Sequence, residues 1–493
     1  MAYQSPDYIE VFPPQTFEAS NQDIQSASLS LMWRYPELSF YREGAYASRG
    51  REIALILALI AISAPYLCLL ILYYAGLMLL YAALLMQTGL LALHLIGHTK
   101  RKLTALPDLP DIEKGEAWPH YSVIIPLYKE APSIVRLVQD MKALRYPEDR
   151  LEVIFLLEEK DGATLDALVS ERLPAHWRLF VLPDGHPRTK PRALNVALKY
   201  IKGTYVTVYD AEDTPHPDQL SAALQCFLGA DAGLACVQAP LVAHNGLANW
   251  LSGQWALEYR VHFGLWLPAL AHMRLPIALG GTSNHFRVDI LKSLAGWDAW
   301  NVTEDADLGL RLARFGYHIA MINLPTLEEA PESLNIWLPQ RSRWLKGYLQ
   351  TLSVLWRTPI KAGREMGYGA FVISQVNLLS SVFSAFIHGP SLFLCFSALI
   401  FPDISLGALG WPLLILSLIV TMSARLLAPG PRTLRRIFLV LTSPIYFPLH
   451  SLAAYRAGYE LFTKPCSWAK TPHGLCNQNA AVKAALFAQI TAQ

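Results

Sequence analysis

Three carboxylates occur within four residues of the stretch VYDAEDTPHP (208–217), at Asp210, Glu212 and Asp213. An apolar run typical of a strand ends at Asp210, and Pro215 prevents a helix from following at once. Acids at this density repel one another unless a cation lies among them. Their oxygens suit Mg²⁺ or Mn²⁺, usually shared with a substrate diphosphate. The stretch therefore predicts a divalent-cation site, although an acidic surface turn would have a similar composition.

A second group of acids begins the stretch NVTEDADLGLRLARFGY (301–317). Thr303 is a good N-cap for a helix, and Glu304 and Asp305 lie in its first turn, where the helix dipole favours acids. That structural role accounts for both acids by itself. The functional alternative makes Asp305 a general base that lies in a cleft and takes a proton from an acceptor hydroxyl.

Two further stretches offer groups for an anionic substrate. Lys190 and Arg192 lie where a helix is predicted to begin, a position that favours phosphate, although solvated basic loops are common. In LGGTSNHF (279–286), two glycines allow close backbone approach, and Thr282 and Asn284 supply hydrogen-bonding groups. A tight turn between two elements would have the same composition.

The stretch QRSRWLKGY (340–348) places Gln340, Arg343, Trp344 and Gly347 on one face of a predicted helix. Arg343 can hold phosphate oxygens through two hydrogen bonds, and Trp344 offers a flat apolar wall. Gln340 can both donate and accept. An interfacial helix would also place Trp and Arg at the surface of a membrane, so this stretch alone leaves both interpretations open.

The elements that must position these residues alternate between residues 119 and 356. Strands are predicted at 121–128, 151–157, 178–183, 204–210, 233–239 and 318–324, and helices at 131–143, 192–201, 218–228 and 304–315. This alternation predicts a mostly parallel α/β sheet, in which ligands bind at the carboxyl ends of the strands.

Apolar runs on either side of this region indicate a membrane protein. Hydrophobic residues make up 53% of the 493 residues and charged residues only 16%, against about 25% in soluble chains. Residues 53–96 contain no Lys, Arg, Asp or Glu, which predicts a hairpin of two spans with its turn near 73–76. Basic residues flank both ends and place them in the cytosol. The runs at 368–401, 405–424 and 437–455 predict three or four further spans.

Charge and cysteine content exclude other classes of function. The formal net charge is +2, and no basic stripe is present, so no nucleic-acid partner is expected. The six cysteines are scattered and form no CxxC pair, which argues against a structural zinc site and a disulfide framework.

Taken together on one α/β domain, the stretches resemble the processive family 2 glycosyltransferases, which include cellulose, chitin and hyaluronan synthases and bacterial exopolysaccharide synthases. The matching stretches are SVIIPLYKE (122–130), DAED (210–213), TED (303–305) and QRSRW (340–344), which fits the family pattern Q-x-x-R-W. The resemblance covers about residues 51–456. It implies a GT-A-type α/β domain inserted between α-helical transmembrane segments.

The resemblance also implies a site for a UDP-sugar. Tyr128 and Glu130 would border the uracil, and Glu158, where the family often has Asp, would lie near the base. Asp210 would contact the nucleotide. The remaining predicted substrate-binding residues are Lys190, Thr282, Asn284, Gln340, Arg343 and Trp344, of which the last three would hold the diphosphate and the acceptor sugar.

For catalysis, the resemblance makes Asp305 the base, with Glu304 beside it. Asp210, Glu212 and Asp213 would bind Mg²⁺ or Mn²⁺, although Glu212 replaces the second Asp of the family's D-x-D and leaves the ligand set open. Intact Asp210, Asp305 and Arg343 argue against a non-catalytic scaffold.

The sequence thus predicts a hexosyltransferase that extends a β-linked polysaccharide and exports it through its own channel. The alternative is a glycolipid synthase with a membrane-lipid acceptor. The predicted protein crosses the bacterial inner membrane several times, with its catalytic domain in the cytosol. The predicted segments are a cytosolic N-terminal extension (1–50), a transmembrane hairpin (51–98), a linker (99–118), the GT-A domain with an interfacial helix (119–356), C-terminal transmembrane helices (357–456) and a cytosolic tail (457–493).

Overall fold

A mixed β-sheet is the framework of the candidate site. The structure, a computed structural model, describes residues 16–41, 63–97, 117–401, 407–467 and 487. The strands in these residues are β1 (Thr16–Glu18), β2 (Tyr121–Leu127), β3 (Leu151–Glu158), β4 (Arg178–Leu182), β5 (Tyr205–Val208), β6 (Thr214–Pro215), β7 (Leu234–Gln238), β8 (Leu241–Ala243), β9 (Asn284–Arg287), β10 (His318–Met321) and β11 (Thr326–Glu328). The larger sheet has the order β1-β4-β3-β2-β5-β9-β7-β10, and the smaller one β6-β11-β8.

Helices cover this sheet and continue into an apolar bundle. In the described residues they are α1 (Asn21–Arg34), α2 (Pro65–Leu95), α3 (Ile134–Lys142), α4 (Gly162–Ser170), α5 (Lys190–Tyr200), α6 (Gln219–Leu228), α7 (Trp250–Val261), α8 (Leu267–His272), α9 (Val288–Ser293), α10 (Glu304–Arg314), α11 (Leu334–Leu355), α12 (Pro359–Met366), α13 (Tyr368–Ile400), α14 (Gly407–Leu427), α15 (Leu434–Leu441) and α16 (Ser443–Thr463). A π-helical turn, His262–Trp266, joins α7 to α8.

The central strands are buried on both faces. Ile124 and Ile154 pack into one core, while Val123, Ile125 and Val153 pack into another. Because side chains alternate along a strand, a sheet between two cores has continuous apolar strands rather than an alternating pattern. This is why the apolar runs at 121–128 and 151–157 could be recognised in the sequence.

All six predicted strands are present, and the four predicted helices are confirmed with small shifts of their ends. Five short strands were missed, and β9 is the one among them that positions the site: its sequence, NHFR, lacks an apolar pattern. It runs antiparallel to β5, with Val208 paired to Asn284. This pairing brings the glycine-containing stretch 279–286 to the carboxyl end of β5, beside the acidic loop.

Part of the N-terminal segment belongs to the α/β domain rather than to a separate extension. β1 pairs in parallel with β4, and the Phe17 ring lies 4.8 Å from that of Phe180. α1 packs against α5 and buries Ile24, Ala27 and Leu31. The sequence concealed this role because β1 has three residues and α1 is mostly polar.

The apolar helices differ from the predicted hairpin. α2 is one continuous 31-residue helix, so the turn predicted near 73–76 is wrong; residues 51–62 lie outside the described part of the chain. Gly76 in this helix faces Phe383 of α13, and an added Cβ would lie 2.7 Å from the ring. α13 is likewise continuous through Pro390.

In the described residues, three helices are long and apolar enough to cross a membrane: α2, α13 and α14. The pair α15 and α16, bent by 52°, would make a fourth if it is one span. If it is one span, the C-terminal candidates are α13, α14 and this pair. By length and composition, that number equals three, the lower of the two numbers of C-terminal spans predicted from the sequence.

A close helix contact joins two of the candidate site's stretches. Gly347 of α11 faces Thr303, the residue before α10, and a Cβ at position 347 would overlap the Thr303 side chain. Next to this contact, Gln350 Oε1 accepts from Val302 N at 2.9 Å. The absence of a side chain at Gly347 therefore allows QRSRW to lie against TED.

We expect Gly347→Ala to reduce both stability and enzymatic rate. Alanine favours an ordinary helix over glycine, but overpacking a buried contact costs about 1–3 kcal/mol and would separate α11 from α10. Thermal unfolding in detergent, and the rate per folded molecule of the sugar transfer expected from the sequence, would measure this. Gly369→Ala is the matched control, because no atom lies within 4 Å of its added Cβ. Equal stability and rate in both variants would contradict the importance of the close approach.

Candidate active site

A cavity of about 360 Å³ lies at the carboxyl ends of the strands and extends to the apolar helices α2 and α14. Nine of the fourteen residues predicted from the sequence line it: Lys190, Asp210, Glu212, Thr282, Glu304, Asp305, Gln340, Arg343 and Trp344. Its far end is lined by Gln87 of α2 and by Thr421, Ala424 and Arg425 of α14. Residues from all five polar stretches thus meet in one space, as the parallel-sheet interpretation requires.

Lys190 connects three of these stretches. It is the first residue of α5, and its Nζ lies 2.6 Å from Asp210 Oδ1 and donates to Gly281 O at 2.6 Å. Burial alone would lower the pKa of Lys190, but the charges of Asp210 and Asp305 raise it instead. Lys190 therefore stays charged and offsets part of the acidity of the cavity wall.

Asp305 and Glu304 form the acidic end of α10, facing the cavity. Asp305 is 6% exposed and Glu304 1%, and Glu304 Oε1 has no hydrogen-bond partner among the described residues. Burial, and then repulsion from Glu304, raise the pKa of the Asp305 carboxyl well above its ordinary value, while Lys190 opposes this shift. A carboxylate of raised pKa is a stronger base than an exposed one, which suits proton abstraction.

Arg343 approaches these acids from α11. Its Nη1 donates to Val302 O at 3.2 Å, which ties α11 to the loop before α10. Burial lowers the pKa of Arg343, whereas the charges of Glu304 and Asp210 raise it. A guanidinium at this place can complement the oxygens of a diphosphate.

Trp344 is held from two sides. Its ring lies 6.1 Å from that of Tyr259, and the guanidinium of Arg341 lies 4.6 Å from the Trp344 ring centre. Arg341 is fixed in turn by Glu258, through contacts of 2.7 and 2.9 Å to its two carboxylate oxygens. Residues of α7 and α11 together therefore fix the Trp344 ring as a flat aromatic part of the cavity wall.

Asp213 and Asn284 do not line the cavity. Asp213 Oδ2 accepts from Asp210 N at 2.7 Å and from the hydroxyl of Thr282. Its carboxyl is 1% exposed, and burial raises its pKa well above its ordinary value. Asn284 Nδ2 donates to Gly280 O at 2.6 Å. In this structure both side chains stabilise loops that carry cavity residues.

Three residues were predicted to lie near the uracil base: Tyr128, Glu130 and Glu158. Tyr128 and Glu130 follow strand β2, Glu158 ends strand β3, and none of the three lines the cavity. Tyr128 is 48% exposed. Glu158 contacts Arg192 Nη2 at 2.6 Å. Because Arg192 is fully buried, it forms part of this ion pair and does not offer an open phosphate site.

A divalent cation fits only part of the predicted ligand set. Asp210 and Glu212 both face the cavity and offer carboxylate oxygens, the ligands that Mg²⁺ and Mn²⁺ prefer. Within the described ranges, however, no three His, Cys, Asp or Glu side chains are grouped for a metal ion. The pair therefore suits a cation whose other ligands come from a substrate diphosphate and water.

Sequence reasoning missed several wall residues. Glu258, Tyr259 and Phe263 belong to α7 and the π-helical turn, whose residues are buried on several sides and show no amphipathic pattern. Glu328 ends the three-residue strand β11, too short to recognise. Burial, and then the charges of Asp213 and Glu212, raise the pKa of Glu328 well above its ordinary value.

Residues 119–347 match the family model described as "Glycosyltransferase like family 2". This part of the chain is a family 2 glycosyltransferase domain. Together with the mixed sheet and the flanking apolar helices, the match confirms the predicted GT-A-type domain and supports sugar transfer as its reaction.

Similar proteins include polysaccharide and glycolipid synthases. A probable glycosyltransferase, YdaM, of Bacillus subtilis (strain 168) is 28% identical over 55% of this chain and 63% of its own. The cellulose synthase catalytic subunit of Pseudomonas fluorescens (strain SBW25) is 30% identical over 58% of this chain and 39% of its own length. The beta-monoglucosyldiacylglycerol synthase of Synechocystis sp. is 25% identical over 58% of this chain and 61% of its own length. The matched part thus covers less than two thirds of each of these relatives.

Among solved structures, the mannosyltransferase PcManGT from Pyrobaculum calidifontis, in complex with GDP-Man and Mn²⁺, is 20% identical with a TM-score of 0.46. The alignment covers 78% of this chain and 99% of that one.

Asp305→Asn should lower sugar transfer by about 10²–10⁴-fold, since the amide cannot accept the proton. In the unchanged protein, the rate should fall as the pH drops through the raised pKa of Asp305, because only the ionised carboxylate acts as a base. The pH at which the rate falls should lie above the ordinary pKa range of an Asp carboxyl. The residual activity of Asp305→Asn should not show this pH dependence. Rate against pH, beside nucleotide binding, would measure both effects.

Asp307→Asn provides the matched control on the same helical turn. Asp307 is buried but accepts from Arg311 Nη2 at 3.2 Å and does not line the cavity. The Asp307→Asn variant should be less stable than the unchanged protein but should keep the same sugar-transfer rate per folded molecule. Similar rates for Asp305→Asn and Asp307→Asn would show that Asp305 only stabilises the start of α10 and does not act as a base.

Proposed function

We propose that this protein is an inverting hexosyltransferase that transfers sugar from a UDP-sugar to a growing β-linked polysaccharide and passes the product to its own membrane helices. The observation that carries this proposal is the continuity of the cavity, which reaches from Asp305 to Gln87 and Arg425. In the proposed arrangement, the helices lie in a bacterial inner membrane and the catalytic domain faces the cytosol.

The reaction is a direct displacement at the anomeric carbon. Asp305 removes the proton from the acceptor hydroxyl, whose oxygen forms the new glycosidic bond on the face opposite the diphosphate. The bond between the anomeric carbon and the diphosphate oxygen breaks, and UDP leaves with the electron pair. Arg343 and Lys190 offset the charge that develops on the leaving group. When bound by Asp210 and Glu212, Mg²⁺ or Mn²⁺ supplies further positive charge to that diphosphate.

The acceptor occupies the wall formed by Trp344 and Tyr259, on the side of the cavity that leads to the membrane helices. An aromatic face suits the apolar face of a sugar ring, while Gln340 can bind its hydroxyls. A chain held here places its terminal hydroxyl toward Asp305 and its older units toward α2 and α14. This orientation favours repeated addition without release.

The second candidate is transfer to a membrane lipid. The similarity to a beta-monoglucosyldiacylglycerol synthase supports it, and a lipid headgroup could enter the same cavity between α2 and α14. Both candidates use the same donor site and the same base, and they differ only in the acceptor.

Product analysis distinguishes the two candidates. The purified full chain in lipid nanodiscs would be incubated with radiolabelled UDP-sugars and Mg²⁺ or Mn²⁺, and the products divided between aqueous and organic phases. We expect label in a long aqueous polymer that linkage-specific β-glycosidases digest. Label in a lipid of one or two sugars would favour the glycolipid synthase. UDP released without any labelled product from a full panel of acceptors would contradict both.

Removal of divalent cations should abolish transfer, and Mg²⁺ or Mn²⁺ should restore it. The reason is that Asp210 and Glu212, beside the repelling Glu328, would otherwise face a diphosphate with only Lys190 and Arg343 to offset the charge. Activity in excess chelator, followed by titration of each ion, measures the requirement, and the chelator's zinc-loaded form controls for direct effects on the protein. Full activity in the chelator would remove the cation from the mechanism.

Trp344→Ala should stop chain elongation while nucleotide binding persists, because Arg343 and Lys190 remain in place. Water entering the empty acceptor position should still allow release of UDP and free sugar. Polymer length beside UDP release, on protein shown to be folded, measures the separation. Trp356→Ala is a suitable control, since Trp356 ends the same helix but is 59% exposed. Normal polymer length from Trp344→Ala would exclude the acceptor role.

A further inference from the structure

The end of the cavity beside α2 and α14 contains an arginine that makes no direct contact with a carboxylate of the described residues, and Glu258 acts on it only through its charge. Arg425 lies in the third residue position from the end of α14, is 4% exposed and lines the cavity. Its Nη1 donates to Gln254 Oε1 at 2.7 Å and to Ser443 Oγ at 2.8 Å, and both partners are neutral. No Asp or Glu within the described ranges forms an ion pair with it. A guanidinium in an apolar helix is costly unless something balances its charge.

The acid on this part of the wall is already engaged. Glu258 holds Arg341 through both carboxylate oxygens, and its Oε2 also accepts from the Tyr446 hydroxyl at 2.9 Å. The pair of Glu258 and Arg341 is neutral as a unit. Arg425 therefore leaves one net positive charge at this end of the cavity.

Neutral hydrogen-bonding groups surround this charge. Thr421 lies one helical turn before Arg425 on the same helix, and Gln87 faces the same space from α2. A guanidinium accompanied by a hydroxyl and an amide is a donor set suited to the oxygens of a phosphate or a carboxylate. The opposite end of the cavity is acidic, so an anion would be drawn to Arg425 and away from the base.

We propose that the Arg425 end of the cavity binds an anionic group, a phosphate or a carboxylate, that the sugar acceptor carries. This inference rests on the proposed function, because the acceptor occupies the space between Trp344 and α14. Two sources share this chemistry: the phosphate of a membrane lipid and the uronate of an acidic polysaccharide. Either group would restore local neutrality while the acceptor's hydroxyl points toward Asp305.

Binding of matched pairs tests the proposal on the full chain in phosphatidylcholine nanodiscs. The lipid pair is dioleoyl phosphatidic acid and dioleoylglycerol, and the saccharide pair is an oligoglucuronide and the neutral oligoglucoside of the same linkage and length. The anionic member of one pair should bind about 10- to 100-fold more tightly, the range expected for a hydrogen bond to a charged group. The pair that shows the preference identifies the source.

Arg425→Gln should remove this preference, and Arg425→Lys should keep part of it. Arg435→Gln is the matched control, because it removes an equal charge from an exposed position nearby whose Nη2 donates to Asn249 O. Equal binding of both members in both pairs would overturn the proposal even if the variants do not fold, and so would a preference that Arg425→Gln retains. UDP release from UDP-sugars by the unchanged protein tests the proposed function separately.

Discussion

The candidate site depends on the balance of charge around one buried cavity. Asp210, Glu212, Glu304, Asp305 and Glu328 face it as acids, and Lys190 and Arg343 face the same acids as cations. Lys190 does most to connect them, since its ammonium contacts Asp210 directly and also holds the backbone of Gly281. Because unpaired charges are expensive to bury, this excess of acids is stable only with cations or protons among them. The raised pKa of Asp305 and the fit of a divalent cation beside Asp210 are two consequences of the same imbalance.

The fold supplies this balance through strand direction and one close helix contact. The carboxyl end of β5 and the amino end of β9 lie side by side because the two strands are antiparallel. The acidic loop and the Gly281 loop therefore meet, and Lys190 joins them. On the other side, Gly347 lets α11 approach α10, so that Arg343 reaches the acids from outside the sheet. Neither arrangement comes from the strand order alone.

The sequence allowed prediction of the parts whose signal is local. Buried parallel strands have continuous apolar runs, and the acids, the glycines and QRSRW occur as short recognisable groups, so the sheet and nine wall residues could be predicted. Side-chain direction could not: Asp213 looked equivalent to Asp210, but its carboxyl turns inward to Thr282. Arg192 looked like a phosphate ligand, but its partner Glu158 is 34 positions away in the chain. Glu258 and Glu328 had no signal, because one lies on a helix buried on several sides and the other ends a strand of three residues.

α11 links the cavity to the apolar helices. One side of it provides Gln340, Arg343 and Trp344 to the cavity. Elsewhere along the helix, Trp337 Nε1 donates to Tyr446 OH at 3.0 Å, and Lys346 Nζ lies 3.3 Å from Glu460; both partners belong to α16.

Further along α11, Gln350 accepts from Val302 N and donates to Pro465 O at 3.0 Å, so one side chain joins the loop before α10 to the segment after α16. A displacement of the segment after α16 would therefore move α11, which carries Trp344, and the loop before α10 together. Under the proposed function, such coupling would keep the distance between Asp305 and the α14 end of the cavity constant, which repeated addition of sugars to a bound chain requires.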